Sequence, residues 1–245
     1  MTGTRSGEKR SGFCRLAVVA GMLAVSSHAL AVPGKIVILR HGEKQDKYAL
    51  CDVGRERSLA LGFRYLGGNA ADSVLPSEGP AALLAITLHT LETVSPVANI
   101  WGKPVVTYSA VPLPDQSDEE KDLLLNKLTQ AAARDVLNNP LWEGKTVVMA
   151  WEHKRIASKS LEKDYPGEKI TLRQLLNLDR LDGVPASWDG SNYDYLWIVT
   201  YGNPGSAVPT GFRMLKQVYA APYDDLPSND WGKKPEFPSG SECKE

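Results

Sequence analysis

Residues 35–40 read Lys-Ile-Val-Ile-Leu-Arg, an apolar run too short for a helix and dominated by β-branched side chains. A run with no polar face fits a strand covered on both sides, as in a parallel sheet sandwiched between helices. A second run of the same kind occupies 145–151 (Lys-Thr-Val-Val-Met-Ala-Trp) and a third 195–200 (Tyr-Leu-Trp-Ile-Val-Thr). Further strands are expected at 81–88, 104–108 and 211–219, and Gly-Asn-Pro-Gly at 202–205 supplies a turn before the last of them.

Helical patterns separate several of these runs. Asp52 precedes a stripe of Leu59, Phe63 and Leu66, and Gly67-Gly68 follows, which together predict a cap, an apolar face and a stop. Ser117 and Glu120 have capping-box spacing and open a helix with Leu125, Leu128, Ala132 and Val136 on one face, ended by Asn139-Pro140. The alternation predicts an α/β fold: three layers, with a mostly parallel central sheet flanked by helices on both faces. The tail from Pro222 is rich in Pro, Asp, Ser and Gly and is expected to pack loosely.

The N-terminal stretch has a different character. Arg5, Lys9, Arg10 and Arg15 precede an uncharged run from Leu16 to Val25 that ends near Ala29-Leu30-Ala31, the pattern of a secretory signal peptide over 1–31. The apolar run is about half the ~20 residues a membrane span needs, so no stable membrane insertion is expected after cleavage. The expected product is one domain, 32–245, exported to a periplasmic or extracellular space. It would carry 24 Lys+Arg against 28 Asp+Glu, a charge of about −4, with no basic stripe, which argues against nucleic acid as a partner. Only Cys51 and Cys243 would remain, either as a disulfide tying the tail to an early loop or as two free thiols.

Three histidines lie in 32–245, each at or near the end of an apolar segment: His41, His89 and His153. In open α/β sheets, ligands bind at the carboxyl ends of the strands, so the chemistry is expected there. The segment Ile36-Val-Ile-Leu-Arg40-His41-Gly42-Glu43 resembles the signature of the histidine phosphatase superfamily, the clan that includes phosphoglycerate mutases and many phosphatases. Leu50-Cys-Asp-Val-Gly54-Arg-Glu-Arg57 is similar to that family's first helix start, and 145–153 to its second-histidine strand. The resemblance spans most of the chain and implies a phosphoglycerate mutase-like fold.

The resemblance implies that His41 attacks phosphorus in line and forms a phosphohistidine that water hydrolyses. Arg40 and His153 would donate to the phosphoryl oxygens, joined by the backbone amide near Gly42, with Glu43 and Arg57 on the substrate side. Glu152, beside His153, is the preferred general acid, and that role needs a raised pKa. The expected activity is hydrolysis of a phosphorylated small molecule or other phosphoester, without cofactor or metal. One departure stands out: His89-Thr-Leu-Glu92-Thr93 puts histidine where the family has its second arginine. His89 could bind phosphate when protonated, which would favour acid, or the missing cation could be Arg55, Arg57, Lys154 or Arg155. Two other functions are compatible with these residues: a phospho-ligand binder without turnover, and a metal hydrolase built on His41, His89 and His153.

Overall fold

The computed structural model describes residues 1–3, 30–70 and 72–244. The basic and apolar stretch read as an export signal lies outside them. Among the described residues, no helix is long and apolar enough to cross a membrane.

The chain folds as β1 (Lys35–Arg40), α1 (Asp52–Arg64), β2 (Ala82–Thr87), α2 (Leu88–Trp101), β3 (Val105–Ala110), α3 (Asp118–Asn138), β4 (Thr146–Trp151), α4 (His153–Ile156), α5 (Lys159–Asp164), α6 (Leu172–Leu175), β5 (Tyr195–Thr200) and β6 (Gly211–Lys216), with two single 3-10 turns. One six-stranded sheet runs in the order β3-β2-β4-β1-β5-β6. The β3–β2, β2–β4 and β4–β1 pairings are parallel, and β1–β5 and β5–β6 are antiparallel. This is the three-layer, mostly parallel α/β architecture that the apolar runs predict.

The period of two along each strand divides the core in two. Ile36 and Ile38 of β1 join Leu125, Ala132 and Val136 of α3 and Leu172 of α6 on one face. Val37 and Leu39 join Leu61 of α1 and Val94 and Val97 of α2 on the other. Burying an aliphatic side chain of this size stabilises by roughly 1.5–3 kcal/mol. A one-residue slip would exchange the two faces of β1, so the packing pins the register.

Three expectations are corrected. On α1, Leu59 and Phe63 point outward, at 45% and 64% exposure, while Gly54, Arg57, Ser58 and Leu61 face inward. The inward stripe runs i, i+3, i+4, i+7 like any buried face, but Gly54 meets the Glu43 backbone and Arg57 the Glu43 carboxylate of the β1–α1 loop, while the Ser58 hydroxyl donates to the Gly54 carbonyl within the helix. Second, the run from 81 ends as a strand at Thr87, and Leu88 opens α2, a 14-residue helix the sequence reading did not anticipate. Thr87 caps it reciprocally with Thr90, and Gly102 ends it in the left-handed region at φ 58°. Pro96 inside the helix removes one backbone donor and hides the pattern.

Third, the tail from Pro222 forms no helix or strand but is not loose. Leu226 is buried, and the Trp231 ring meets Tyr195 edge-on at 5.0 Å. The Asn229 amide donates to Asp194 at 2.9 Å. Cys243 is bonded to Cys51, closing a loop across 192 positions, and the Lys44–Lys244 bridge extends the attachment. Cross-linking so long a loop limits the unfolded ensemble, an effect of about 2–5 kcal/mol. The Cys243→Ser variant is therefore expected to unfold at a clearly lower urea concentration than the oxidised wild type; equal midpoints would show that the bond contributes nothing.

Candidate active site

The site follows from strand register. Arg40 pairs with Trp151, and the His41 amide donates to the Trp151 carbonyl at 3.3 Å, so His41 emerges beside Glu152 and His153. One position across the sheet, β2 ends level with β4 and Thr87 donates to Glu152 Oε1 at 3.2 Å. All these groups sit at the carboxyl ends of three parallel strands.

His41 is fully buried. Its Nδ1 lies 2.7 Å from the Gly42 carbonyl, which can only accept, so Nδ1 carries the proton and Nε2 keeps its lone pair. Nε2 has no hydrogen-bond partner, and the closest carboxylate oxygen, Glu152 Oε2, is 3.4 Å away. Burial pushes the His41 imidazole down to about 4, against the opposing pull of Glu152. His153 opens α4 directly after its cap residue Glu152. Its Nδ1 is buried without a partner, and burial, then the Arg40 charge, lowers its pKa. Both imidazoles are neutral at neutral pH.

Arg40 is buried with its guanidinium 3.8 Å from the centre of the Tyr193 ring, donating to the carbonyls of Gly190 and Asn192. Its Nε is unpartnered. The 189–193 loop that accepts from it also crosses His153: a Cβ at Gly190 would stand 3.5 Å from His153 Nε2, and the Tyr193 ring lies 6.0 Å from that of His41. Tyr193 and this loop were not anticipated, because they come from a turn-rich stretch some 150 residues downstream with no motif of its own.

Burial raises the Glu152 carboxyl, but the charge of His41 where that ring is protonated, then that of Lys44, outweigh it and hold the group well below the usual carboxylate range. A general acid needs the opposite shift, so without a bound anion Glu152 is an ionised acceptor. Lys44 Nζ lies 3.6 Å from Glu152 Oε2 and lines the adjoining cavity. The cation beside the histidines is thus Lys44, which was not among the candidates. Its one sequence signal is its place three residues past His41.

The other predicted residues have different surroundings. The Gly42 amide donates to Thr93 Oγ1 at 2.9 Å, so it is already engaged. What glycine provides there is close packing: a Cβ at Gly42 would lie 2.8 Å from the Gly54 carbonyl oxygen, and one at Gly54 only 2.2 Å from that of Glu43. Glu43 is fully buried against Arg57 at 2.6–3.0 Å, and Arg57 also donates to Pro227. This pair locks the loop to α1 and the tail and does not line the cavity by the histidines. His89 lies 5.7 Å from His41, ring to ring, but its Nε2 is bonded to the Asp46 carbonyl at 2.8 Å, and burial lowers its pKa. It lines the cavity as an imidazole shifted toward its neutral form. Of the four alternative cations, Arg55 pairs with Asp52 and Arg155 with Asp122, while Lys154 stands at the cavity rim.

His41, Glu152 and His153 each offer a ligand atom within 4.8 Å of the others and could hold a metal ion. This is not the three-histidine set considered from sequence, since Glu152 takes the place of His89.

Breaking the Glu43–Arg57 pair from one side strands a buried charge, at a cost of about 3–5 kcal/mol. Arg57→Met is expected to show that loss in denaturant unfolding, and the double variant Glu43→Leu/Arg57→Met to recover most of it. A single variant as stable as wild type would contradict the assignment.

Neither a scan against protein-family models nor a search of curated proteins finds a match. Among solved structures, the chain is similar to SixA of Agrobacterium tumefaciens, provisionally described as a phosphohistidine phosphatase, with a TM-score of 0.37 and 13% identity over 75% of this chain and 97% of that one.

Proposed function

We propose that this chain is an exported phosphomonoester hydrolase in which His41 is the phosphoryl acceptor. The observation that carries the reading is the state of His41: buried, neutral, fixed in one tautomer by the Gly42 carbonyl, with an unpartnered Nε2 facing Glu152. A nucleophile needs a free lone pair in a defined direction, and these contacts supply it.

In the first step Nε2 attacks phosphorus opposite the ester oxygen; the N–P bond forms as the O–P bond breaks, and the electron pair leaves with the alcohol oxygen. His153 and Lys44 line the cavity as donors for the phosphoryl oxygens, and Arg40 adds its charge and a buried Nε without a partner behind them. In the second step water attacks phosphorus: the new O–P bond forms as the N–P bond breaks, the electron pair returns to Nε2, and the proton of the water passes to Glu152, whose ionised carboxylate suits a base. For Glu152 to protonate the leaving oxygen, the negative charge of the bound phosphoryl group must first raise it, and that charge acts in the required direction.

A metal-assisted hydrolase is the second reading, favoured by the grouping of His41, Glu152 and His153. Arg40 and Lys44 beside the same atoms oppose a divalent cation and favour an anion.

The decisive assay is hydrolysis of an aryl phosphate with and without chelator, using His41→Ala as control. Turnover that survives chelation and is lost in the variant, at least about a thousandfold, supports the phosphohistidine route; loss on chelation points to the metal; phosphate binding without turnover points to a binding protein. A second measurement is the pH profile of kcat/KM. A neutral nucleophile is present above its pKa, so the acid limb is expected to rise with an inflection near 4 and to be level through 6.5. The second ionisation of the ester itself, at about 6, is measured on the free substrate and divided out; a remaining inflection near 6.5 would show that burial does not depress His41.

A further inference from the structure

The cavity beside the histidines encloses about 300 Å³, at the lower end of the volume that holds a whole small-molecule ligand. It is larger than a reacting phosphoryl group requires, so its outer wall faces the rest of the ester. That wall is formed by the start of α3, by α4 and by the loop after β1, and most of its charge is of one sign.

Pairing accounts for part of this charge. Lys44 stands against Glu152 at 3.6 Å, and Arg155 holds Asp122 at 2.9 Å and Asn126 Oδ1 at 3.1 Å. Three ammonium groups are left over. Lys47, Lys121 and Lys154 all line the cavity, and none has a carboxylate within 4.0 Å among the described residues. Lys121 is close enough to oppose the charge on Lys44 across the opening. It also occupies the first turn of α3, where a cation runs against the helix dipole, so the helix does not account for it. Like charges gathered round one cavity repel one another, and a bound anion relieves the repulsion.

We infer that the substrate is a phosphomonoester whose leaving group carries a second anionic group, phosphate or carboxylate, held by Lys121 and Lys154 while the reacting phosphoryl group lies at His41. This rests on the proposed hydrolase reading for which group reacts, and adds what the other end of the molecule must be. Lys121 and Lys154 approach from different helices, α3 and α4, so the subsite selects for length as well as charge. The attraction is exposed to solvent at the rim and weakens with added salt.

The test compares phenyl phosphate, 4-carboxyphenyl phosphate and 1,4-phenylene bisphosphate, with phenyl phosphate as the reference for each protein. In the wild type, kcat/KM for at least one of the two doubly anionic esters is expected to exceed the reference about tenfold, mostly through KM, and to fall toward it in 0.5 M salt. In Lys121→Ala/Lys154→Ala the ratio is expected to fall to about one, and in Lys121→Arg/Lys154→Arg to be largely kept. Which ester gains identifies the second group as carboxylate or phosphate. No preference in the wild type, or the same preference in the Ala/Ala variant, overturns the inference. If no ester is hydrolysed, the hydrolase reading fails on its own. Calorimetry with 1,4-phenylene bisphosphonate against phenylphosphonate then decides the subsite: tighter wild-type binding lost in the Ala/Ala variant supports it, and equal binding overturns it.

Discussion

The parallel pairing of β1 with β4, with Arg40 opposite Trp151, is the constraint on which the rest of the site depends. Each strand ends at the same level, and the residues immediately past those ends, His41 and then Glu152 and His153, have nowhere to go but toward one another. The register is held by core residues on both faces, so a polar site is positioned by apolar packing. Shifting the pairing by one residue would turn the β1 side chains into the wrong layers as well as separate the histidines.

Around that edge the structure uses polar contacts for rigidity. The Glu43–Arg57 pair, the close approach of Gly42 and Gly54, and the Cys51–Cys243 bond all act on the segment between β1 and α1. Thr93 takes the Gly42 amide, and Glu92 accepts from the Leu50 amide at 2.8 Å, so α2 secures the same segment from the other side. His41 is thereby held by groups that never reach the cavity. Residues that look like substrate contacts in the linear motif become the support of His41.

Charge is distributed to match. Burial keeps the imidazoles neutral, while Arg40 stays cationic between Tyr193 and two carbonyls and Glu152 stays anionic between His41 and Lys44. The inner site therefore joins a neutral imidazole to a cationic surround, and the outer cavity adds ammonium groups with no carboxylate partner among the described residues. Both features favour an anion.

How much of this was legible in the sequence follows from which forces are local. Six strands and the capped helix at 118 could be read, because hydrophobic period and capping chemistry act within a few residues. His41 and His153 could be placed at strand tips for the same reason. The helix over 88–101 could not, since Pro96 breaks its local pattern and its stability comes from packing against the sheet. The partner of Arg57, the engagement of the Gly42 amide, the arrival of Tyr193 and the attachment of the tail were likewise invisible. The sequence by itself determined a layered α/β chain with histidines at strand ends. Only the tertiary structure decided which charges are paired and buried, because ionisation and hydrogen-bond satisfaction depend on neighbours brought together from distant positions.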